Sequence, residues 1–184
     1  VVQEKGNYAR ARKKADVLIK RRFRYDRGTA AAMENRGIVA AWDPRDEELT
    51  VWDTTQAPIP IRNGLARMLG LSEKQVRVIA PFIGGGFGPK IMEYYPEEVL
   101  LTWATLKLAR PLKWIEDRRE NLMSAGQARH VDGTARMAFD ADGAITAVDI
   151  DFIQDIGAYP TPYPVLTTAA IGMFFPGPYR VPKA

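Results

Sequence analysis

A glycine-rich run interrupted by one phenylalanine is the strongest constraint in this sequence. Residues 83–90 read IGGGFGPK, with glycine at four of the five positions from 84 to 88. Backbone without side chains turns sharply and lets a ligand come close, at a high entropic cost on folding. A flexible linker favours small polar residues, and Phe87 does not fit that composition. The run therefore predicts a loop of defined geometry that binds a ligand.

The spacing within the run disagrees with two common phosphate-binding loops. A P-loop requires a second glycine before its lysine and a Ser or Thr after it, but Pro89 and Ile91 occupy those positions. A dinucleotide-binding fingerprint requires a third glycine that opens a helix, and the first good helix start downstream is Pro96. Two alternatives stay open: a tight turn that binds no ligand and, more remotely, an enzyme that binds phosphate through this loop alone.

The composition of the chain excludes several kinds of site. Its 184 residues form one or two globular domains, with 46% hydrophobic and 26% charged residues. The absence of cysteine excludes disulfides, thiolate metal ligands and a cysteine nucleophile, and it fits a cytoplasmic location. The single histidine, His130, is predicted to have a structural or surface role. No apolar run reaches the roughly 20 residues that cross a bilayer, so we expect no membrane span.

Much of the basic charge lies between Arg10 and Arg27. Within it, residues 17–25 alternate in a way that predicts a strand with one solvated face. A nucleic-acid-binding protein combines a basic patch with stacking aromatic residues on a recognisable module, and the sequence contains no such module. We therefore predict no nucleic-acid partner.

The order of apolar and turn patterns predicts an α+β fold with mixed sheets packed with a few helices. Pro58 and Pro96 suit the first turns of two helices, and Gly70 suits the end of the first. No firm domain boundary is predicted within residues 1–184, and the pattern of residues 160–184 fixes little. The predicted strands cover residues 17–25, 37–42, 49–54, 76–80, 112–115, 135–139 and 145–153.

The helix that begins at Pro96 is predicted to bury an apolar stripe, and the acidic residues of the chain are given structural roles. Glu34 and Arg36 are predicted to form an ion pair at the base of the glycine loop. Residues 116–120 are predicted to cap a helix or to lie on a solvated face. The stripe comprises Val99, Leu100, Trp103, Leu106 and Leu108.

Six short motifs recur in an order that resembles a known family. The ordered set resembles the molybdopterin-binding large subunit of the molybdenum hydroxylases, the xanthine dehydrogenase and aldehyde oxidase family, over nearly the whole chain. Residues 91–96 (IMEYYP) are most similar to the carbon monoxide dehydrogenase large-subunit-like members. Residues 1–184 are thus expected to be a fragment of the molybdopterin-binding region. The motifs are residues 33–36 (MENR), 54–58 (TTQAP), 84–90 (GGGFGPK), 110–114 (RPLKW), 116–120 (EDRRE) and 155–159 (DIGAY).

The resemblance implies which residues lie beside the molybdenum. The cofactor-binding residues are then Gln56, Gly85, Gly86, Phe87 and Gly88. Of these, the Gln56 side-chain amide and the Phe87 backbone N–H are implied to donate to the oxygen ligands of the metal. Such donors stabilise negative charge that develops on oxygen, and a loop without side chains lets its N–H groups point at it. On the residues alone, Gln56 also fits a hydrogen bond at a helix entry.

The activity implied by the resemblance is oxidation of a small carbon substrate, namely an aldehyde, CO or an N-heterocycle, with water as the oxygen source. Molybdenum-molybdopterin, in its cytosine dinucleotide form, carries the chemistry. Iron–sulfur centres and FAD are expected on partner subunits or domains, together with the remainder of the large subunit. The alternative is a non-catalytic remnant of the fold, or a subunit-interaction module that lacks the cofactor.

Two departures from the family pattern narrow these expectations. Purine-oxidising members carry a Glu directly after the lysine of the loop, and Ile91 stands there in this sequence. Glu93 lies two positions later, out of register for that role. The family's catalytic base and active-site loop correspond to positions beyond residue 184. No catalytic residue is therefore predicted within the chain, and we expect the isolated chain to be inactive.

Overall fold

The computed structural model describes residues 2–91, 94–159, 162–175 and 177–182, without the side chains of residues 162–164. In this part of the chain, five α-helices and two sheets confirm the predicted α+β class. The helices are α1 (Tyr8–Arg12), α2 (Pro58–Leu69), α3 (Pro96–Leu108), α4 (Arg118–Ser124) and α5 (Pro162–Phe174). The strands are β1 (Val17–Thr29), β2 (Gly37–Asp43), β3 (Glu48–Asp53), β4 (Val76–Ile79), β5 (Leu112–Ile115), β6 (Gln127–Phe139) and β7 (Ile145–Gln154).

The predicted elements are all present, and the main differences lie at their ends. β5 has the predicted bounds, while β1 and β6 each extend over 13 residues. Sheet pairing continues past the stretch whose apolar alternation is clear, because backbone hydrogen bonds do not depend on side-chain polarity. α1 and α5 lie outside the predicted elements.

The chain divides into two compact units, which we call the loop unit (residues 29–127) and the long-strand unit (residues 1–28 and 128–184). The loop unit contains a four-stranded sheet with the order β4-β3-β2-β5. β2 runs antiparallel to β3 and β5, whereas β3 and β4 run parallel. Alternate residues of β2 and β3, such as Ala40 and its partner Val51, are fully buried and build the core.

α2 covers this core with one apolar face. Ile61 and Leu65 lie four positions apart, and both are buried. Pro58 occupies the first turn, where its missing N–H has no intrahelical partner to lose. Gly70 ends the helix with φ at 71°, a left-handed conformation that glycine adopts without strain. The predicted start and end of this helix are confirmed.

The prediction that α3 buries an apolar stripe is wrong in part. Leu100, Trp103 and Leu108 are 61%, 52% and 60% exposed. The buried residues of α3 are Glu98, Thr102 and Thr105. Both threonine hydroxyls donate to carbonyl oxygens within the same helix, at 2.7 Å and 2.9 Å, so burial leaves them satisfied. Apolar periodicity alone does not reveal this, because a self-satisfied threonine packs like valine.

The long-strand unit contains a three-stranded sheet with the order β1-β6-β7. β6 and β7 pair antiparallel from Val131 opposite Gln154 to Phe139 opposite Ile145. β1 is exposed on both faces from residue 17 to residue 27, so the predicted single solvated face is wrong. Alternation of side chains indicates a strand, but it does not show whether a layer covers the second face.

Among the described residues, no helix combines the length and the apolar character needed to cross a bilayer.

Candidate functional site

Two parallel strands bring the glycine loop to the predicted glutamine. β3 ends at Asp53, three residues before Gln56, and β4 ends at Ile79, four residues before the loop at residues 83–90. These strands are neighbours, with Trp52 opposite Ile79. The carboxyl ends of parallel strands lie at the same edge of a sheet, which is where ligands bind in many folds. The topology therefore places both segments at one edge.

Gln56 and the loop are joined by two hydrogen bonds. The Gln56 Oε1 accepts from the backbone N of Gly88 at 3.0 Å. The Gln56 backbone N donates to the carbonyl oxygen of Lys90 at 2.8 Å. The side-chain Nε2 of Gln56 has no acceptor among the residues that the structure describes. Gln56 thus binds the loop through its oxygen and keeps its amide donor available.

Gly86 lies directly against the Gln56 side chain. A Cβ atom at Gly86 would stand 2.3 Å from Cδ of Gln56, a distance that real Cβ contacts do not reach. All three atoms nearest to that Cβ belong to the Gln56 side chain, which is exposed. A side chain at Gly86 would therefore displace Gln56 from its present contact with the loop.

The middle of the loop presents a row of backbone donors. The N–H groups of Gly85, Gly86 and Phe87 have no acceptor within the described part of the chain, while those of Gly84 and Gly88 are bonded to side chains. Phe87 has φ at 54°, and its side chain is 73% exposed. A non-glycine residue in this region of conformational space is uncommon and stores strain, a feature that clusters at functional sites.

Glu34 and Lys90 meet at the base of the loop. The Glu34 Oε2 accepts from the backbone N of Gly84 at 2.7 Å. The Lys90 Nζ donates to the Glu34 carbonyl oxygen at 3.0 Å and lies 3.4 Å from its Oε2. The predicted ion pair between Glu34 and Arg36 is wrong, because the chain bends at residues 33–34 and the Glu34 carboxylate meets Gly84 and Lys90 instead.

Arg36 instead forms a buried pair with Glu116. Its Nη2 lies 2.5 Å from Glu116 Oε1, and the two side chains are 4% and 0% exposed. Burial opposes ionisation of Glu116, but hydrogen bonds from Arg36 and Asn121 hold the pKa of its carboxyl below the ordinary value. Glu116 therefore does not lie on a solvated face, which was the second of the two alternatives predicted for residues 116–120. The capping prediction for the same motif is confirmed, since Asp117 accepts from the N of Glu120 at the start of α4.

Tyr95 connects this buried pair to the loop. The Arg36 guanidinium lies 3.5 Å from the centroid of the Tyr95 ring, a cation–π contact. The Tyr95 hydroxyl donates to the carbonyl oxygen of Pro89 at 2.7 Å. The loop is thus anchored near its end by a side chain that itself packs on a buried ion pair.

Two further carboxyl groups lie beneath the loop. Burial raises the pKa of Asp53 to about 6, and burial together with the charge of Asp53 raises the pKa of Glu98 to about 9. The Oδ2 atom of Asp53 is buried without a hydrogen-bond partner. The positive charges of Arg36 and Lys90 lower the pKa of Asp53 in opposition to its burial. Beneath the loop, acidic and basic groups are therefore packed closely together with little access to water.

His130 lies far from these residues in sequence, on β6. Its Nδ1 is 3.2 Å from Oδ2 of Asp155, although the angle does not make a hydrogen bond. Within the described ranges, no group of three His, Cys, Asp or Glu residues is arranged to hold a metal ion.

Comparison with known proteins gives a family for the chain. Molybdopterin cofactor-binding domains match it over residues 1–184. The carbon monoxide dehydrogenase large chain of Hydrogenophaga pseudoflava is 36% identical over 177 residues, which is 92% of this chain and 21% of that protein. The nicotine 6-hydroxylase large subunit of Paenarthrobacter nicotinovorans is 35% identical over 182 residues, 97% of this chain and 22% of that protein.

The chain belongs to the molybdopterin cofactor-binding domain family. The crystal structure of quinoline 2-oxidoreductase from Pseudomonas putida 86 superposes on this domain with a TM-score of 0.77 at 34% identity, covering 84% of this chain and 20% of that one. The predicted family resemblance is confirmed, including the similarity to carbon monoxide dehydrogenase large chains. This molybdopterin cofactor-binding domain spans about a fifth of the length of the curated relatives that it matches.

The sequence did not predict the burial of several residues near the loop of this molybdopterin cofactor-binding domain. Asp53 and Glu98 lie in none of the six motifs. An acidic residue at the end of an apolar strand could have indicated Asp53 as a candidate buried carboxyl. Lys90 is part of the quoted motif, but nothing in the sequence predicts that it is only 6% exposed. The backbone N of Ile91 donates to the Gly88 carbonyl at 2.9 Å, and Glu93 lies outside the described residues.

Proposed function

We propose that this chain is part of the large subunit of a molybdenum-dependent hydroxylase or dehydrogenase. In this proposal it contributes the side of the molybdenum site formed by Gln56 and residues 85–88, and no catalytic residue. The observation that carries the proposal is the contact between Gln56 and Gly88, with a 3.0 Å hydrogen bond that leaves the amide donor of Gln56 available. The family match over residues 1–184 supports the cofactor class.

The donor set fits the oxygen ligands of a molybdenum cofactor. The loop and its neighbour offer several hydrogen-bond donors, namely Nε2 of Gln56 and the N–H groups of residues 85–87. Donors of this kind stabilise negative charge on oxygen when they are held in place before the reaction. Gly86 supplies a side-chain-free cradle against Gln56. Gln56 and Phe87 are therefore assigned contacts with the oxygen ligands of the metal and not with the metal itself.

When bound, the cofactor supplies the two-electron oxidation chemistry that no protein side chain provides. The protein's part is to position and to polarise. Gln56 is held by its own Oε1 and backbone N, so its amide keeps a fixed orientation. The Phe87 side chain is largely exposed, while its N–H stays without an acceptor among the described residues. Such preorganisation avoids reorganisation during the reaction.

The finer assignments follow from the family resemblance. We assign the cytosine dinucleotide form of the cofactor, iron–sulfur centres and FAD on partner subunits or domains, and a cytoplasmic location. The words "large chain" and "large subunit" in the relatives' names support a multi-subunit assembly. The substrate is a small aldehyde, CO or an N-heterocycle, and the apolar Ile91 disfavours a purine because it cannot hydrogen-bond the heterocycle.

Metal analysis combined with substrate oxidation tests this proposal. The complete subunit that carries this chain is purified with its partners, analysed for molybdenum, and assayed with a redox dye against CO, aldehydes and N-heterocycles. We expect stoichiometric molybdenum and turnover of one of these classes, and neither in the isolated chain. A complete subunit without molybdenum would support the non-catalytic interaction module instead. A rise in melting temperature with a nucleotide would favour a phosphate-binding loop.

A further inference from the structure

We propose that Glu34 and Lys90 form a clip that positions the glycine loop for its donors to act, an inference that rests on the proposed function. Neither residue contacts the bound group in this proposal. Both act through the loop and through Gln56, so they are positioning residues.

Glu34 holds the first end of the loop by two reciprocal hydrogen bonds with Gly84. The backbone N of Glu34 donates to the Gly84 carbonyl at 3.2 Å, and the Glu34 Oε2 accepts from the Gly84 N at 2.7 Å. The contact is close, since a Cβ at Gly84 would stand 2.6 Å from the Cβ of Glu34. Hydrogen bonds to a carboxylate are stronger than neutral ones. The start of the loop is therefore fixed in direction as well as in place.

Lys90 holds the second end and connects it to both partners. Its Nζ donates to the carbonyl of Glu34 and approaches the carboxylate of the same residue. Its own carbonyl oxygen accepts from the backbone N of Gln56 at 2.8 Å and from the Thr55 hydroxyl at 3.2 Å. One residue thus links the clip, the loop and the glutamine.

The burial of Lys90 makes this arrangement specific. The Lys90 side chain is only 3% exposed, whereas the Glu34 side chain is 41% exposed. A buried ammonium requires partners at close range, because water does not solvate it. The partners available here are the two oxygens of Glu34 and the negative charge of Asp53. Lys90 is therefore confined to a position that fixes the separation of the two loop ends.

Because both ends of the loop are fixed, the N–H groups of residues 85–87 keep one position and one orientation relative to Gln56. Loss of either charged group frees an end of the loop, and the donors of residues 85–87 then sample many orientations. Donors that lose their fixed orientation at a preorganised site lower the rate of reaction more than they weaken the binding of substrate.

Three variants test the clip in the complete subunit with its partners. Glu34→Ala removes both side-chain contacts, Glu34→Gln restores an acceptor without the charge, and Lys90→Met removes the ammonium. Glu73→Ala is the matched control, since Glu73 pairs with Arg62 at 2.8 Å on the surface of the same unit. Hydrogen exchange at the Gly84 and Gly88 amides, which are hydrogen-bonded to Glu34 and Gln56, reports the loop directly. Molybdenum content and steady-state kinetics are measured on the same samples.

We expect the Gly84 and Gly88 amides to exchange roughly tenfold to hundredfold faster in Glu34→Ala and Lys90→Met, with Glu34→Gln intermediate and Glu73→Ala unchanged. We expect kcat to be lowest in Glu34→Ala and Lys90→Met and intermediate in Glu34→Gln. KM and molybdenum content are expected to stay near those of the wild type. Unchanged exchange in Glu34→Ala overturns the clip, as does faster exchange with unchanged kcat. If the wild type contains no molybdenum, the proposed function fails, and the exchange measurement still decides whether the clip exists.

Discussion

The loop unit contains an ion pair that is buried, whereas the ion pairs of the long-strand unit remain in contact with water. Among the described residues, every buried polar or charged side chain lies within residues 29–127. Arg36 and Glu116 are 4% and 0% exposed, while Arg22 and Asp132 of the long-strand unit are 76% and 39% exposed. The same pair chemistry is thus placed in two very different environments.

The apolar residues show the same contrast. The loop unit has a core that includes the fully buried Leu49 and Leu65. The buried apolar residues described in the long-strand unit are Ala138 and Ala147. Small side chains bury little apolar area, so they contribute little to stability. The glycine loop therefore belongs to the unit with the larger apolar core. A preorganised site requires such rigid support.

Removal of Arg36 is expected to have the largest effect on stability. Arg36→Met leaves the Glu116 carboxylate buried without its partner and is expected to lower the free energy of unfolding by about 3–5 kcal/mol. Urea unfolding followed by tryptophan fluorescence measures this directly. All four tryptophans, Trp42, Trp52, Trp103 and Trp114, lie in residues 29–127, so the signal reports the loop unit alone.

The matched control for that variant is in the other unit. Arg136 pairs with Asp149 at 2.7 Å, with side chains 32% and 38% exposed. Partly exposed pairs of this kind contribute about 0–1 kcal/mol to stability. Arg136→Met is therefore expected to change the free energy of unfolding only slightly, as measured by circular dichroism. Equal losses from the two variants would remove the contrast between buried and exposed pairs.

A smaller effect, dependent on pH, is expected from Glu98. Its pKa in the folded protein is raised from 4.5 to about 9, first by burial and then by Asp53. The unfolded chain loses this proton at lower pH than the folded chain does, so stability falls as pH rises from about 4.5 towards 9. Glu98→Gln keeps an acceptor for the N of Tyr95 and removes this dependence. The variant is expected to be more stable than the wild type at pH 8, and the two are expected to have equal stability near pH 4.

Asp132 in the long-strand unit provides a control of opposite sign. The hydrogen bond from Arg22 lowers the pKa of Asp132, so this carboxylate stabilises the fold above its unfolded pKa and loses that contribution as pH falls. Asp132→Asn is therefore expected to reduce stability slightly at neutral pH and to have no effect in acid. A Glu98→Gln variant that followed the pH profile of Asp132→Asn would contradict the account of the buried carboxyl.

Sequence reasoning succeeded where the physical cause is local and failed where it is not. The bounds of α2 follow from Pro58, Gly70 and a helical apolar period, all within one segment. The pair of Arg36 and Glu116 spans 80 positions, and local sequence does not encode which of several acids an arginine will reach. The partial failure on α3 has a different cause, because burial there was inferred from apolar residues and occurs at threonines.

For the candidate site, the motif order identified Gln56 and the loop, and the parallel pairing of β3 and β4 explains why they meet. The partners of Glu34 and Arg36 could not be predicted, since their choice depends on the direction in which the extended chain enters β2. The exposure of β1 on both faces was equally hidden, because alternation describes a strand and not the layers around it.

The catalytic effect of Gln56 tests the central claim most directly. Gln56→Ala is compared with Gln127→Ala, another exposed glutamine, whose amide donates to the carbonyl of Ala125 at 3.4 Å and does not contact the loop. Loss of one preorganised donor is expected to lower kcat roughly 100-fold to 1,000-fold in the complete, molybdenum-loaded enzyme. Gln127→Ala is expected to retain the wild-type kcat. A Gln56→Ala enzyme with full molybdenum content and unchanged kcat would contradict the account.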